Sequence, residues 1–108
     1  IESAFQENLP IVIIIDNNGG LDCISQQQER LFNDGSHFAT DFRDIPFHGM
    51  FQGMGGHGEL VTHKDEIAGA VRRAIESGKP ACVNVKTKGV ISPIVAATSD
   101  KRDKASIE

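Results

Sequence analysis

The 108-residue chain predicts an α/β fold, a parallel sheet flanked by helices, and three observations carry that prediction. The run Ile11-Val12-Ile13-Ile14-Ile15 is short, apolar and almost wholly β-branched, the composition of a strand buried on both faces of a parallel sheet. Further on, a helical pattern stands between two strand-like segments, 59–62 and 81–87. A strand, a helical crossover and a second strand imply parallel pairing. Finally, the first apolar run stops abruptly at Asp16-Asn17-Asn18-Gly19-Gly20. In open α/β sheets the crevice beyond the carboxyl ends of the strands is where ligands sit. A carboxylate, two amides and two glycines at that edge suit a hard cation and a phosphate better than an apolar ligand. The same residues also make ordinary turns.

Taken in order, residues 1–9 have helical composition, and Pro10 forbids continuation. They read as the end of a helix that starts earlier, so the chain is expected to be an N-terminally truncated domain from a longer polypeptide. The strand at 11–15 follows. Residues 21 to about 32 read as a helix, with Leu21, Ile24 and Leu31 at helical spacing and 26–30 as its polar face; Asn33-Asp34-Gly35-Ser36 ends it. Residues 37–44 read as loop. Pro46 can open a short helix over 47–52, and the glycines of 55–58 break the chain before the strand at 59–62.

Thr62 and Asp65 have the spacing of a capping box, and Ile67, Val71, Ala74 and Ile75 then fall on one helical face. Gly78 stands where a left-handed C-terminal cap is wanted, with Pro80 just beyond, and 81–87 is the next strand. The tail, 89–108, ends in the charged run Asp100-Lys101-Arg102-Asp103-Lys104, a solvated terminus by default. Residues 90–97 are too apolar for a disordered segment, however, so 89–98 are expected to be ordered against the domain or a partner subunit.

A net charge of −4 and the lack of any dense basic stripe argue against nucleic acid as a partner. No apolar run approaches a membrane span and the start lacks a signal-peptide pattern, so no membrane partner and a cytoplasmic location are expected. Cys23 and Cys82 are too few for a disulfide framework or a zinc site and read as buried small hydrophobes. His37, His48, His57 and His63 show no metal-ligand spacing and read as surface or loop residues; Met50 and Met54 read as core filler. The glycines of 53–58 precede a strand, the wrong context for a dinucleotide fingerprint.

At this point the residues carry a resemblance. Asn8-Leu9-Pro10 through Asn17-Asn18-Gly19-Gly20 resembles the closing half of the thiamine diphosphate motif. Met54-Gly55-Gly56-His57-Gly58-Glu59-Leu60-Val61 and Gly78-Lys79-Pro80-Ala81-Cys82-Val83-Asn84-Val85 are similar to the later glycine-rich stretch and last core strand of the same family. The fragments keep order and spacing over most of 1–88, the expected extent of a partial domain that binds the diphosphate and its metal. The resemblance is to the C-terminal domain of enzymes like acetolactate synthase and 2-hydroxyacyl-CoA lyase.

It implies thiamine diphosphate and Mg²⁺ as cofactors. Asn18 would offer its amide oxygen to the metal and Gly20 its main-chain carbonyl; Asn17 would support the turn and the ring side of the cofactor. Asp16 falls where the motif uses no ligand. The family's Gly-Asp-Gly would fall just before Ile1, and the glutamate that activates the cofactor would come from a neighbouring subunit. This chain therefore holds no principal catalytic residue and is expected to be inactive alone. Its implied partners are the rest of the parent chain and a neighbouring subunit of a homodimer or homotetramer, with a small-molecule substrate and, in a missing middle domain, FAD as a possible addition. The tail would lie over the active-site entrance. A non-catalytic α/β module that binds a phosphate ligand or a partner is the alternative.

Overall fold

In the computed structural model, residues 1–33, 35 and 37–97 are described. Helix α1 (Glu2–Gln6) leads into strand β1 (Val12–Asn17), then α2 (Asp22–Phe32), α3 (Phe47–Gly53), β2 (His57–Val61), α4 (Ile67–Glu76) and β3 (Ala81–Lys86). The described chain forms two compact units. One consists of Ile1–Asn17 with Ile45–Thr87, the other of Asn18–Asp44 with the segment from Lys88.

The first unit holds the sheet, which is wholly parallel in the order β1-β3-β2. Ile14, Val83 and Glu59 stand side by side across it. Side chains alternate between the two faces of a strand. Ala81 and Val83 face Ala70 and Ala74 of α4 in the core, with Val61 beside them and Val12, Ile67, Val71 and Val85 packed around. On the other face Asn84 meets His48 of α3, and Phe51 of α3 is buried against the ring of Phe5, centroids 5.9 Å apart. Gly78, with φ of +64°, supplies the left-handed turn after α4 that an L side chain resists.

Several expectations are corrected here. The strand buried on both faces is β3, whose Ala81, Cys82, Val83 and Asn84 are all fully buried, and not β1, where Ile14 is 54% exposed. The reason is topological: β3 sits between two strands and two helices, whereas β1 is an edge strand among the described residues. Ile75 is exposed; the inward stripe of α4 is Ile67, Ala70, Val71 and Ala74, because the small alanines let the helix approach the sheet. The capping box does not form: a 3₁₀ turn, Lys64–Glu66, precedes α4 and no side-chain cap is made. Strand β2 begins at His57, so His57 and Gly58 belong to the ladder and not to the break. Met50 and Met54 are exposed rather than core.

In the second unit α2 ends as expected, with Asn33 left-handed, but its apolar residues Ile24, Leu31 and Phe32 are exposed and its buried residue is Ser25. Cys23 is exposed, against expectation, while burial pushes the Cys82 thiol of the first unit above its usual pKa. The segment 37–44, expected to be loop, makes a strand-like bridge at Asp41. The tail follows α2: Gln26 donates to the Val90 carbonyl at 2.6 Å and accepts from the Ser92 amide at 3.0 Å, and Arg30 donates to the Val95 carbonyl at 3.0 Å. Residues 93–97 form a helical turn with Val95 buried. Residue 98 and the charged run at 100–104 lie outside the described residues.

Candidate cofactor and metal site

β1 ends at Asn17, and the chain then turns through Asn18, Gly19 and Gly20. The Gly20 amide donates to Oδ1 of Asn18 at 3.2 Å, an Asx-type turn that holds the Asn18 amide oxygen beside the Gly20 backbone. Gly19 adopts φ of +83°. Gly20 then pairs antiparallel with Asp41: Leu21 donates to the Thr40 carbonyl and Phe42 to the Gly19 carbonyl, each at 2.7 Å. A Cβ on Gly20 would stand 2.5 Å from the Thr40 carbonyl oxygen, so the residue must be glycine for the two segments to meet. Thr40 is itself buried and accepts the Ser25 hydroxyl of α2 at 2.7 Å, which fixes the 40–42 segment on that helix.

Two of the three residues expected at the site, Asn18 and Gly20, are thus brought together. Asn17 has a different setting. It is buried at the end of β1, and its amide nitrogen donates to Oδ1 of Asn84 at 3.1 Å and to the Ile45 carbonyl at 3.4 Å. Asn84 in turn contacts Nδ1 of His48 at 3.2 Å. Asp16, set aside as a ligand, accepts a short hydrogen bond from the Thr87 hydroxyl. Reading the sequence missed Thr40, Asp41, His48 and Asn84. The available signal for Asn84 was its polarity in the apolar run of 81–85; Thr40 and Asp41 gave none. His48 and His57, expected as surface or loop residues, are half-buried, His48 on α3 as the short helix over 47–52 implied and His57 on β2.

Each unit holds a charge cluster of its own. In the second unit His37 lies between carboxylates, Nε2 to Glu29 at 2.6 Å and Nδ1 to both Asp41 oxygens at 3.0 Å. The Glu29 hydrogen bond first, and then that of Asp41, hold its pKa above the ordinary histidine value. Asp41 therefore contributes its backbone to the Gly20 bridge and its side chain to this clamp. In the first unit Glu59 accepts three hydrogen bonds from Arg73 and one from His57, and Arg73 chiefly holds the Glu59 carboxyl below its usual range.

The donor set at the turn is oxygen only, a side-chain amide and a main-chain carbonyl, the chemistry a hard divalent cation accepts. Those two donors are neutral, and among the described residues no cluster of three His, Cys, Asp or Glu could hold a metal. The turn therefore offers two oxygen donors suited to Mg²⁺, and the negative charge such an ion needs would have to be supplied by other groups.

The fold is that of an open parallel α/β domain, the class in which ligands sit beyond the carboxyl ends of the strands, where this turn lies. Residues 1–85 match the family model described as thiamine pyrophosphate enzyme, C-terminal TPP binding domain, and the chain belongs to that family. It is 33% identical over 87 residues to the acetolactate synthase large subunit IlvG of Mycobacterium tuberculosis, a match covering 80% of this chain and 16% of that protein. It is 29% identical over 105 residues to 2-hydroxyacyl-CoA lyase of Arabidopsis thaliana, and 28% identical over 111 residues to the protein of that name from Oryza sativa subsp. japonica. Each of these matches covers 94% of this chain and 18% of the relative. The chain thus spans less than a fifth of the length of the relatives it matches. Among the described residues no helix is long and apolar enough to cross a membrane.

Proposed function

We propose that this chain is the diphosphate- and Mg²⁺-anchoring part of a thiamine-diphosphate-dependent enzyme that breaks or forms a C–C bond next to a carbonyl, in a 2-oxo acid, a 2-hydroxyacyl-CoA or a diketone. The observation that carries the reading is the Asn18–Gly20 turn, held by its own hydrogen bond and by the Asp41 bridge, in a chain of this family.

When bound, thiamine diphosphate supplies the electron sink for such chemistry. The work of this chain is anchoring. Asn18 offers its amide oxygen and Gly20 its carbonyl to the cation, and the Asx turn orders both before the ion arrives, which lowers the entropic cost of binding. Asn17 supports the cofactor's ring side from the end of β1. The proton-transfer groups, the substrate contacts and any FAD belong to the remainder of the polypeptide and to a second subunit of a homodimer or homotetramer in the cytoplasm. By itself the chain is inactive, and its tail serves as a cover that excludes water from the reacting centre.

The test is Asn18→Ala in the full-length protein. Losing one ligand from a hard-ion site should raise the Mg²⁺ and thiamine diphosphate concentrations needed for half-maximal binding by about tenfold, a loss of about 1.4 kcal/mol, before substrate preference changes. An unchanged Mg²⁺ requirement, measured by calorimetry and by activity, would remove Asn18 from the metal site.

A further inference from the structure

Asn84 is an anomaly of the sheet. It sits in the middle of the central strand, fully buried, with alanine, cysteine and valine as its neighbours along β3. A buried amide without partners would cost about 1–3 kcal/mol, so its retention in such a place calls for a use. Its partners provide one. Its Oδ1 accepts from Asn17, 67 residues away in sequence, and its Nδ2 faces Nδ1 of His48 at 3.2 Å.

The direction of this chain of hydrogen bonds follows from its end. The Ile45 carbonyl can only accept, so the Asn17 amide must present its NH₂ group there. The same NH₂ faces Asn84, which must therefore present its oxygen, and the other side of the Asn84 amide then presents NH₂ to His48. Nδ1 of His48 has to be the bare, accepting nitrogen. A main-chain carbonyl at one end and an imidazole at the other thus set which way both amides face.

We propose that Asn84 is a positioning residue for Asn17, and His48 for Asn84: the His48–Asn84–Asn17 relay fixes the orientation of the Asn17 amide at the carboxyl end of β1 and thereby tunes retention of the thiamine diphosphate–Mg²⁺ pair. The second half of that statement rests on the function proposed above; the first does not.

The experiment uses the full-length protein and two substitutions at one position. Asn84→Leu keeps the volume and removes the acceptor. Asn84→Asp keeps the acceptor, and His48 can answer the carboxylate by moving its proton to Nδ1. Calorimetric affinity for thiamine diphosphate with Mg²⁺ should fall about tenfold or more in Asn84→Leu and stay within about threefold of wild type in Asn84→Asp. If Asn84 only filled the core, the apolar leucine would do at least as well as a buried carboxylate, so the rank order separates positioning from packing. A leucine variant that binds as well as wild type, or better than the aspartate, overturns the proposal.

Should Asn84→Leu fail to fold, His48→Phe takes its place: removing the orienting acceptor should weaken binding about threefold, and unchanged affinity overturns the proposal equally. Selective ¹⁵N-asparagine labelling supplies a readout free of ligand. The Asn17 side-chain amide signals should lose their protection from solvent exchange in Asn84→Leu and keep it in Asn84→Asp. Loss of protection in a protein that binds no thiamine diphosphate would refute the proposed function while upholding the relay.

Discussion

Gly20→Ala tests the one close backbone approach at the candidate site. The added Cβ would lie 2.5 Å from the Thr40 carbonyl oxygen and 3.4 Å from the Asp41 Cα, and both neighbours are backbone that no rotamer change can move. Relief requires the 40–42 segment to withdraw, which breaks the Leu21–Thr40 and Phe42–Gly19 hydrogen bonds, each 2.7 Å long. At about 0.5–1.5 kcal/mol net for each bond, the loss is about 1–3 kcal/mol. The stiffer unfolded chain of an alanine variant returns about 0.4–1 kcal/mol. The balance, about 1–2 kcal/mol, corresponds to a rise of about five- to thirtyfold in the opening of the bridge. Amide exchange at Leu21 and Phe42 reads it directly. Gly53→Ala is the control, since its Cβ would meet nothing within 4 Å, and helix propensity makes it neutral or stabilising. Protection of Leu21 and Phe42 that is equal in wild type and Gly20→Ala would refute the claim that space, and not chain flexibility, requires glycine there.

Three further outcomes are expected. Val83→Ala removes two methyl groups from a fully buried position between β3 and α4 and should destabilise the fold by about 2–3 kcal/mol, measured by urea unfolding. The His37 clamp should weaken with alkali: because its folded pKa is raised above the unfolded value, its contribution is complete below the ordinary histidine range and is lost as pH climbs through the raised value. The protection of the Phe42 amide, taken relative to its intrinsic exchange at each pH, should fall over that window in wild type, and His37→Gln should flatten the profile. The Glu59–Arg73 pair runs the other way, since a depressed carboxyl pKa gives stability that is present above the unfolded value and lost on acidification through the folded one. Glu59→Gln should remove that acid-side loss from a melting-temperature profile.

Local chemistry was legible and partnership was not. The isoleucines of 11–15 announce a strand through β-branching, yet their composition cannot say how many neighbours the strand has; β3, with plainer residues, took the central place because two strands and two helices cover it. On α4 the periodicity was right to within one ridge. Spacing placed Ile75 on the inward face, whereas the structure turns Ala70 inward, because close approach of a helix to a sheet rewards small side chains. The turn at 16–20 could be read because its residues act through their own backbone. Its clasp could not: Gly20 meets Asp41 through main-chain groups, and Asn17 meets Asn84 through a register that only the folded sheet defines. Cys23 was misplaced by the habit of its residue type, since α2 turns a serine inward instead.

Among the described residues β1 stands at an edge of the sheet, and this has a further consequence. A sheet edge offers main-chain donors and acceptors that template another strand. Here the edge belongs to a run of five β-branched apolar residues free of charge and proline, with Ile11 and Ile14 exposed, which is the profile of a segment that seeds cross-β assembly. Asp16 at one end and Pro10 at the other flank it as gatekeepers, a negative charge and a missing amide. The strand that runs into the asparagine pair is thus also the segment of the described chain most in need of cover during synthesis, before its neighbours have formed.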